Sequence, residues 1–399
     1  MRELPAILET WRGLGADGDP GAVLATVVHV TGSAYRRPGA RMLMVPDGRR
    51  IGCVSGGCLE ADIVRKAWWF TESGRPVVQI YDTTSEDDTD WEFGLGCNGV
   101  VHILLERVNT PAVSQMFAFL DARLAARKAA VAATVVLTDG SDGVRVGDKL
   151  LLDECHAPAG SLCGFAIQAQ VLAHATAVLR EKTSRLAHLG ATDVFVEWIG
   201  PPLSMVVLGA GHDAIPLVNL ARQLGWDVTV ADPRPAYARK ERFPAANRVV
   251  ALSAVGDPLP EGLIDAETAV VVMTHNYPLD ARLLPGILPI RPRYLGILGP
   301  KARAERLFSE LALRRPDCVH APAGLDLGSA TPEAIALSIV AEIQAAITCR
   351  GGGELRRRRE AIHEAAYEVG VSSAEQAAAG LRPDYCGTML ATGAVGSDA

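Results

Sequence analysis

The sequence has no basic excess, no long apolar run and no orderly set of cysteines. Its 399 residues carry a formal net charge of −7 and a pI near 5.8. Nucleic-acid binding asks for a basic footprint, so a general nucleic-acid binder is excluded. No apolar stretch reaches the roughly 18 residues of a spanning helix. The opening MRELPAILETWRGLG lacks the apolar core of a signal peptide. No membrane span is expected, and the cytoplasm is the expected compartment. There the eight cysteines are expected to be reduced, and they are too scattered for a disulfide framework. Structural zinc needs four ligands, usually in two close pairs. Cys53 and Cys58 make one pair, but Cys97 and Cys155 each stand alone. An iron–sulfur cluster of the C-x4-C-x2-C kind would need a cysteine where the chain has Ala61.

What is present is a soluble globular balance, 49% hydrophobic and 21% charged, long enough for two or three domains. Residues 22–30 and 40–46 read as strands, and a glycine-rich loop runs from Gly52 to Gly57. The stretch LEADIVRKAWWF that follows has apolar residues at helical spacing. PVVQIYD and VVHILLERV read as strands, 111–128 as a helix, and VAATVVLTD, KLLLDE and DVFVEWI as further strands. The alanine-rich run from Gln168 to Leu189 reads as one long helix. No internal repeat is apparent. Gly200-Pro201-Pro202 is a stiff break. The expected division is residues 1–200 as an α+β domain, 203–350 as a second domain and 351–399 as a tail.

The second domain alternates near-continuous apolar strands with helices, the pattern of a parallel sheet covered on both faces. Its fold class is α/β, a doubly wound sheet of the Rossmann kind. LGAGHDA at 208–214 fits G-x-G-x-x-A between a strand and a helix. Gly209 permits the turn, Gly211 lets backbone approach a pyrophosphate, and Ala214 keeps the helix near the sheet. His212 lies beside any bound phosphate. Asp232 ends the next strand at the distance expected of a ribose-binding acid. Asp232 favours NAD, whereas Arg234 suits a 2′-phosphate, so NAD(P) is a candidate cofactor. Asp213 would repel a phosphate at the helix start. His275, after the fourth strand, is the candidate proton donor if this domain is a nicotinamide-dependent oxidoreductase. The plain alternatives are a loop kept for packing and a histidine with a structural hydrogen bond.

In the first domain, Cys58 opens a helix and Cys97 sits among glycines. Both settings expose backbone N–H groups, lower a thiol pKa and attract anions. A cofactor carrying a phosphate and a thiophilic metal would suit them. The plain alternative is small residues in tight loops. Cys53 is expected at the end of the preceding strand. Glu60 either orients a ligand amine or caps its own helix.

The stretches GSAYRRPGARMLMVPDG, IGCVSGGCLEADIV and FGLGCNGVVHILLE resemble the N-terminal domain of the xanthine dehydrogenase accessory proteins, the XdhC/CoxI family. LGAGHDAIPL, ADPRPAYARKERFP, MTHNYPLD, YLGILGPKARAERL and HAPAGLDLGSATPEAIALSIVAEI resemble its C-terminal Rossmann domain, in order, over roughly residues 20–350. The resemblance implies an accessory chaperone, not a xanthine dehydrogenase itself. Such a protein binds molybdenum cofactor (molybdopterin), supports exchange of an oxo ligand for sulfur, and delivers the product. The implied partners are an apo-molybdenum hydroxylase and a sulfur-donating cysteine desulfurase, and a homodimer is the expected assembly. The implied site comprises Arg41, Gly56, Gly57 and Gly96 around phosphate and pterin, with Cys53, Cys58 or Cys97 near the metal. The chain departs from the family pattern at Asn98 and at Asn276, where glycine and aspartate are usual, and in the His-Asp-Ala that opens the helix after the glycine turn.

Overall fold

The computed structural model describes residues 3–15, 21–82, 99–155, 157–253, 259–359 and 368–369. The first half of the N-terminal region comprises α1 (Glu3–Gly13), β1 (Val23–Gly32), β2 (Arg41–Met44), β3 (Arg50–Gly52), α2 (Cys58–Phe70), β4 (Val77–Asp82) and β5 (Gly99–Arg107). The second half comprises α3 (Pro111–Ala125), β6 (Ala130–Leu137), β7 (Lys149–Asp153), α4 (Gln168–Glu181), β8 (Arg185–Leu189) and β9 (Thr192–Ile199). One antiparallel sheet has the order β3-β2-β1-β5-β4. The other runs β8-β9-β6-β7, with β16 (Glu368–Val369) added in parallel on β8.

Each half is built the same way, which corrects the expectation of no internal repeat. RPGARMLM at 37–44 is matched by RVGDKLLL at 145–152. Val27 exchanges backbone hydrogen bonds with Gly39 and Ala40, and Val135 does so with Gly147 and Asp148. The β1–β5 ladder shifts register between Val27 and His29, and the β6–β9 ladder between Val135 and Leu137. Gly52 packs under the carbonyl of Arg41, and Gly160 under that of Lys149. The repeat escapes sequence reading because backbone geometry is kept where side chains are not.

Alternation along the strands sends one face of each sheet to its own helix and the other to the opposite sheet. Val23, Ala25, Met42 and Ile103 pack with α2, whereas Val131, Ala133, Leu150 and Val196 pack with α4. Leu24, Leu43, Ala132, Leu151 and Ile199 meet between the sheets, closed by α1 and α3. The layers are thus helix, sheet, sheet, helix. Fully burying such a side chain contributes about 1.5–3 kcal/mol. Two ion pairs lie in the same seam. Arg41 of β2 donates to Glu197 of β9, and Lys149 of β7 donates to Glu106 of β5 at 2.7 Å. Each repeat sends its cation to the other repeat's carboxylate.

The expected helix over 168–189 ends instead at Glu181. Lys182 turns left-handed at φ 56°. Residues 185–189 then pair with β9 in a hairpin, because the sheet needs a strand there and tertiary pairing overrides alanine-rich propensity.

Gly200-Pro201-Pro202 leads into β10 (Ser204–Leu208), α5 (Ala214–Gln223), β11 (Asp227–Asp232), β12 (Arg248–Ala251) and β13 (Thr268–Val272). α6 (Tyr277–Ile287), β14 (Tyr294–Ile297), α7 (Lys301–Glu310), β15 (Val319–His320) and α8 (Pro332–Ile347) follow. The strands are parallel in the order β12-β11-β10-β13-β14-β15. Numbered within the domain this is the 3-2-1-4-5-6 order of the dinucleotide fold, so the α/β expectation holds. Thr331 caps α8 by accepting from Ala334 N, with Pro332 in its first turn. α6 went unread in the sequence because Pro278 and Pro285 interrupt its pattern. It is started by the Asn276 side chain, which accepts from Leu279 N.

Candidate functional site

Two candidate sites lie at opposite ends of the chain's fold. Arg127 reaches Ser204 at 2.8 Å and Asp265 at 3.4 Å, and Lys182 reaches Glu267 at 3.2 Å. Ser204, Asp265 and Glu267 lie at the N-terminal edge of the parallel sheet. The glycine turn opens at its C-terminal edge, facing away from the first domain. In that domain β9 passes into β10 at one end, while β1 ends, β5 starts and β3 runs out at the other. Within one chain the two sites therefore do not share a cleft.

At the far end of the first domain, the 33–35 segment spans from the start of β5 to the loop before α2. The Ser33 carbonyl packs against Gly99, and the Tyr35 ring lies 3.6 Å from the position of a Cβ on Gly56. Tyr35 is 69% exposed, so its other face is open. Glu60 Oε1 accepts from Val54 N and Ser55 N at 3.0 and 3.1 Å, and Ser55 Oγ accepts from Gly57 N. Glu60 therefore pins the loop ahead of its own helix, a variant of the capping box. Gly57 is the N-cap at φ 119°, where a side chain would be strained. Cys58 occupies the first helical position. Cys97 and Gly96 lie outside the described residues.

Cys53, just past β3, is half-buried, and its thiol donates to Glu3 Oε1 at 3.6 Å. Burial pushes this thiol's pKa up, outweighing nearby Arg36, so Cys53 is kept from the thiolate form. Glu3 also pairs with Arg36, tying α1 to both loops. Arg41 does not join them. It is 6% exposed, faces the second sheet, and spends its fork on Glu197 and the Gly39 carbonyl. Burial alone would lower its pKa, but Glu197 raises it. The expectation that Arg41 holds a phosphate is corrected on this ground. Sequence reading passed over Tyr35, Arg36 and Arg37, though an aromatic beside two cations at a turn was the available signal. Among the described residues no three His, Cys, Asp or Glu side chains are placed to hold a metal ion, and no helix is long and apolar enough to cross a membrane.

In the second domain Gly209 meets the β13 exit so closely that a Cβ would lie 2.5 Å from Met273 O. His212 is exposed at this turn. His275, left-handed at φ 55°, places Nε2 2.6 Å from Asp213 Oδ2, beside Gly211. Asp213 and His275 thus stand over the glycine turn. Asp232 is only 1% exposed and accepts from Ala210 N at 2.7 Å and from Arg234 N, Nε and Nη2 at 2.8, 2.9 and 2.7 Å. Burial pushes its carboxyl up, but these donors prevail and hold it below the usual carboxylate range.

The model of the XdhC and CoxI family matches residues 16–82 and 123–190, one segment in each repeat. The XdhC Rossmann domain model matches residues 205–343. The chain is 34% identical over 335 residues to a probable xanthine dehydrogenase subunit of Bacillus subtilis (strain 168), covering 81% of this chain and 92% of that one. It is 26% identical over 329 residues to the molybdenum cofactor insertion chaperone PaoD of Escherichia coli (strain K12), covering 81% and 82%. A crystal structure described as a xanthine dehydrogenase from Bacillus halodurans matches with a TM-score of 0.72 at 30% identity, over 90% of this chain and 98% of that one.

Proposed function

Because the chain belongs to the XdhC and CoxI family, we propose that it is an accessory protein that inserts molybdenum cofactor into a molybdenum enzyme of the xanthine dehydrogenase kind. The cofactor is its cargo. The N-terminal domain holds it at the far end of the double sheet and supports its sulfuration, with a cysteine desulfurase as sulfur donor. The working unit is a homodimer. The observation that carries this reading is the meeting of the 33–37 and 53–57 loops with the start of β5. There an open tyrosine face offers a stacking surface for a fused ring. The first turn of α2 presents backbone N–H groups where an anion is favoured, while Glu60 and Ser55 Oγ take those of Val54, Ser55 and Gly57 and hold the loop in place. Cys58 and Cys97 supply soft sulfur for the metal.

The test loads the purified full chain with molybdenum cofactor and follows molybdenum and pterin through gel filtration. Retention by the parent and its loss in a Cys58→Ala, Cys97→Ala double variant are expected. Unchanged retention in that variant removes the thiols from the site. No retention by the parent removes the cargo reading.

A further inference from the structure

The crevice at the C-terminal edge of the parallel sheet is the strongest feature that cofactor delivery leaves unused. We propose that it binds a nucleotide through a phosphate on the ribose next to the base, and so takes NADP(H) in preference to NAD(H). This inference does not depend on the cargo proposed for the first domain.

Three adjoining observations carry it. First, an NAD site needs its acid open to the ribose hydroxyls. Asp232 is closed to them: it is 1% exposed, and its oxygens are taken by Ala210 N and by the backbone and guanidinium of Arg234. Second, the group offered in its place is a cation. The Arg234 side chain is 49% exposed and stacks 3.9 Å over the Tyr237 ring, and Arg242 stacks on the same ring at 4.5 Å. Arg234 spends Nε and Nη2 on Asp232, so it offers a phosphate its remaining N–H groups, and Arg242, stacked on the same ring, brings the second guanidinium. Third, a cavity of about 360 Å³ begins at Pro233, immediately after the acid, and is walled by Leu252, Ile264, Leu279 and Leu283. Its size and apolar lining suit a purine base. Base pocket, ribose-phosphate cations and glycine turn follow one another along the strand ends in the order a dinucleotide would need. Asp213, held by His275 over the glycine turn, disfavours the pyrophosphate, so binding leans on the ribose phosphate.

Calorimetric titration of the full chain with 2′,5′-ADP, 5′-AMP, NADPH and NADH tests this. 2′,5′-ADP is expected to bind at least about tenfold more tightly than 5′-AMP, and NADPH than NADH, from one charge-assisted phosphate contact. Arg234→Ala should abolish or reverse the preference, since it removes the cation and uncovers Asp232. Arg242→Ala should reduce it, and decides the matter if the first variant does not fold. Equal affinities within each pair, no binding of 2′,5′-ADP at millimolar concentration, or a preference intact in both folded variants would overturn the proposal.

Discussion

Replacing Lys149 by Met should destabilise the first domain far more than replacing Lys149 and Glu106 together. The Lys149 and Glu106 side chains are each 2% exposed and 2.7 Å apart, between two sheets whose facing residues are otherwise mainly apolar. Lys149→Met removes the cation but leaves a carboxylate with no water to solvate it. Stranding one partner of a buried pair costs about 3–5 kcal/mol, whereas replacing both by apolar groups of similar volume is neutral or stabilising by about 1–4 kcal/mol. For a region of roughly 200 residues each kcal/mol moves Tm by about 2–4 °C. The single variant should therefore melt roughly 6–20 °C lower, and Glu106→Leu with Lys149→Met should recover most of that. Arg41 lies within electrostatic reach of Glu106, which places Lys149→Met toward the lower end. Thermal melts at pH 7 followed by circular dichroism decide the matter. A single variant within about 1 kcal/mol of the parent would refute the reasoning, as would a double variant as unstable as the two singles summed.

Three further outcomes follow from local geometry. Gly57→Ala forces a side chain into φ 119° at the N-cap of α2, and should cost about 1–3 kcal/mol and weaken cofactor retention in the gel-filtration assay. Glu60→Ala frees the N–H groups of Val54 and Ser55, and faster amide exchange over 53–57 is expected. Glu60→Gln should leave exchange nearly unchanged, because a carboxamide oxygen can accept the same two N–H groups, as that of Gln168 accepts from Gly164 N in the second repeat. Burial, and then neighbouring His29, hold His102 below its ordinary value near 6.5. The unfolded chain therefore binds more protons, so the contribution of His102 is present above about pH 6.5 and is lost as pH falls toward its lower folded value. His102→Gln should flatten the acid side of the Tm profile, and an unchanged acid slope would count against this.

The parallel domain was legible because its signals are local. Glycine turn, strand ends and the Thr331-Pro332 cap each sit within a few residues, and the structure puts them where the pattern does. The sense of Asp232-Pro233-Arg234 was not legible, since an acid two residues before an arginine reads equally as a ribose acceptor or as its covered partner. Only the hydrogen bond from Ala210 N and the stacking on Tyr237 separate the two. Arg41 misled for a related reason. It lies near the conspicuous loops in sequence, but strand alternation turns it inward, toward Glu197 in the other repeat.

The repeat explains why those loops differ while the scaffold does not. Arg41 and Lys149 must stay cationic because each faces a carboxylate that the other half contributes. A change in either is felt across the seam, so the two halves hold each other's core in place. The loops ahead of α2 and α4 carry no such mutual constraint. Gly56-Gly57-Cys58 in one half stands where Gly164-Phe165-Ala166 stands in the other, but the left-handed residue is Gly57 in the first turn and Gly164 in the second, and Glu60 and Gln168 fold back on different N–H groups of the loop ahead. Phe165 lies 3.7 Å from the position of a Cβ on Gly143, the counterpart of Tyr35, whereas a Cβ on Gly57 would meet nothing within 4 Å. If chemistry in this domain belongs to a loop of this kind, the shared scaffold supplies the position twice and the side chains open it once. Transplanting Gly-Gly-Cys into 164–166 should then raise cofactor capacity only if Tyr35 and Arg36 also receive counterparts at Gly143 and Val144. A gain from the loop alone would show that the backbone cradle, without the facing ring and cation, is sufficient.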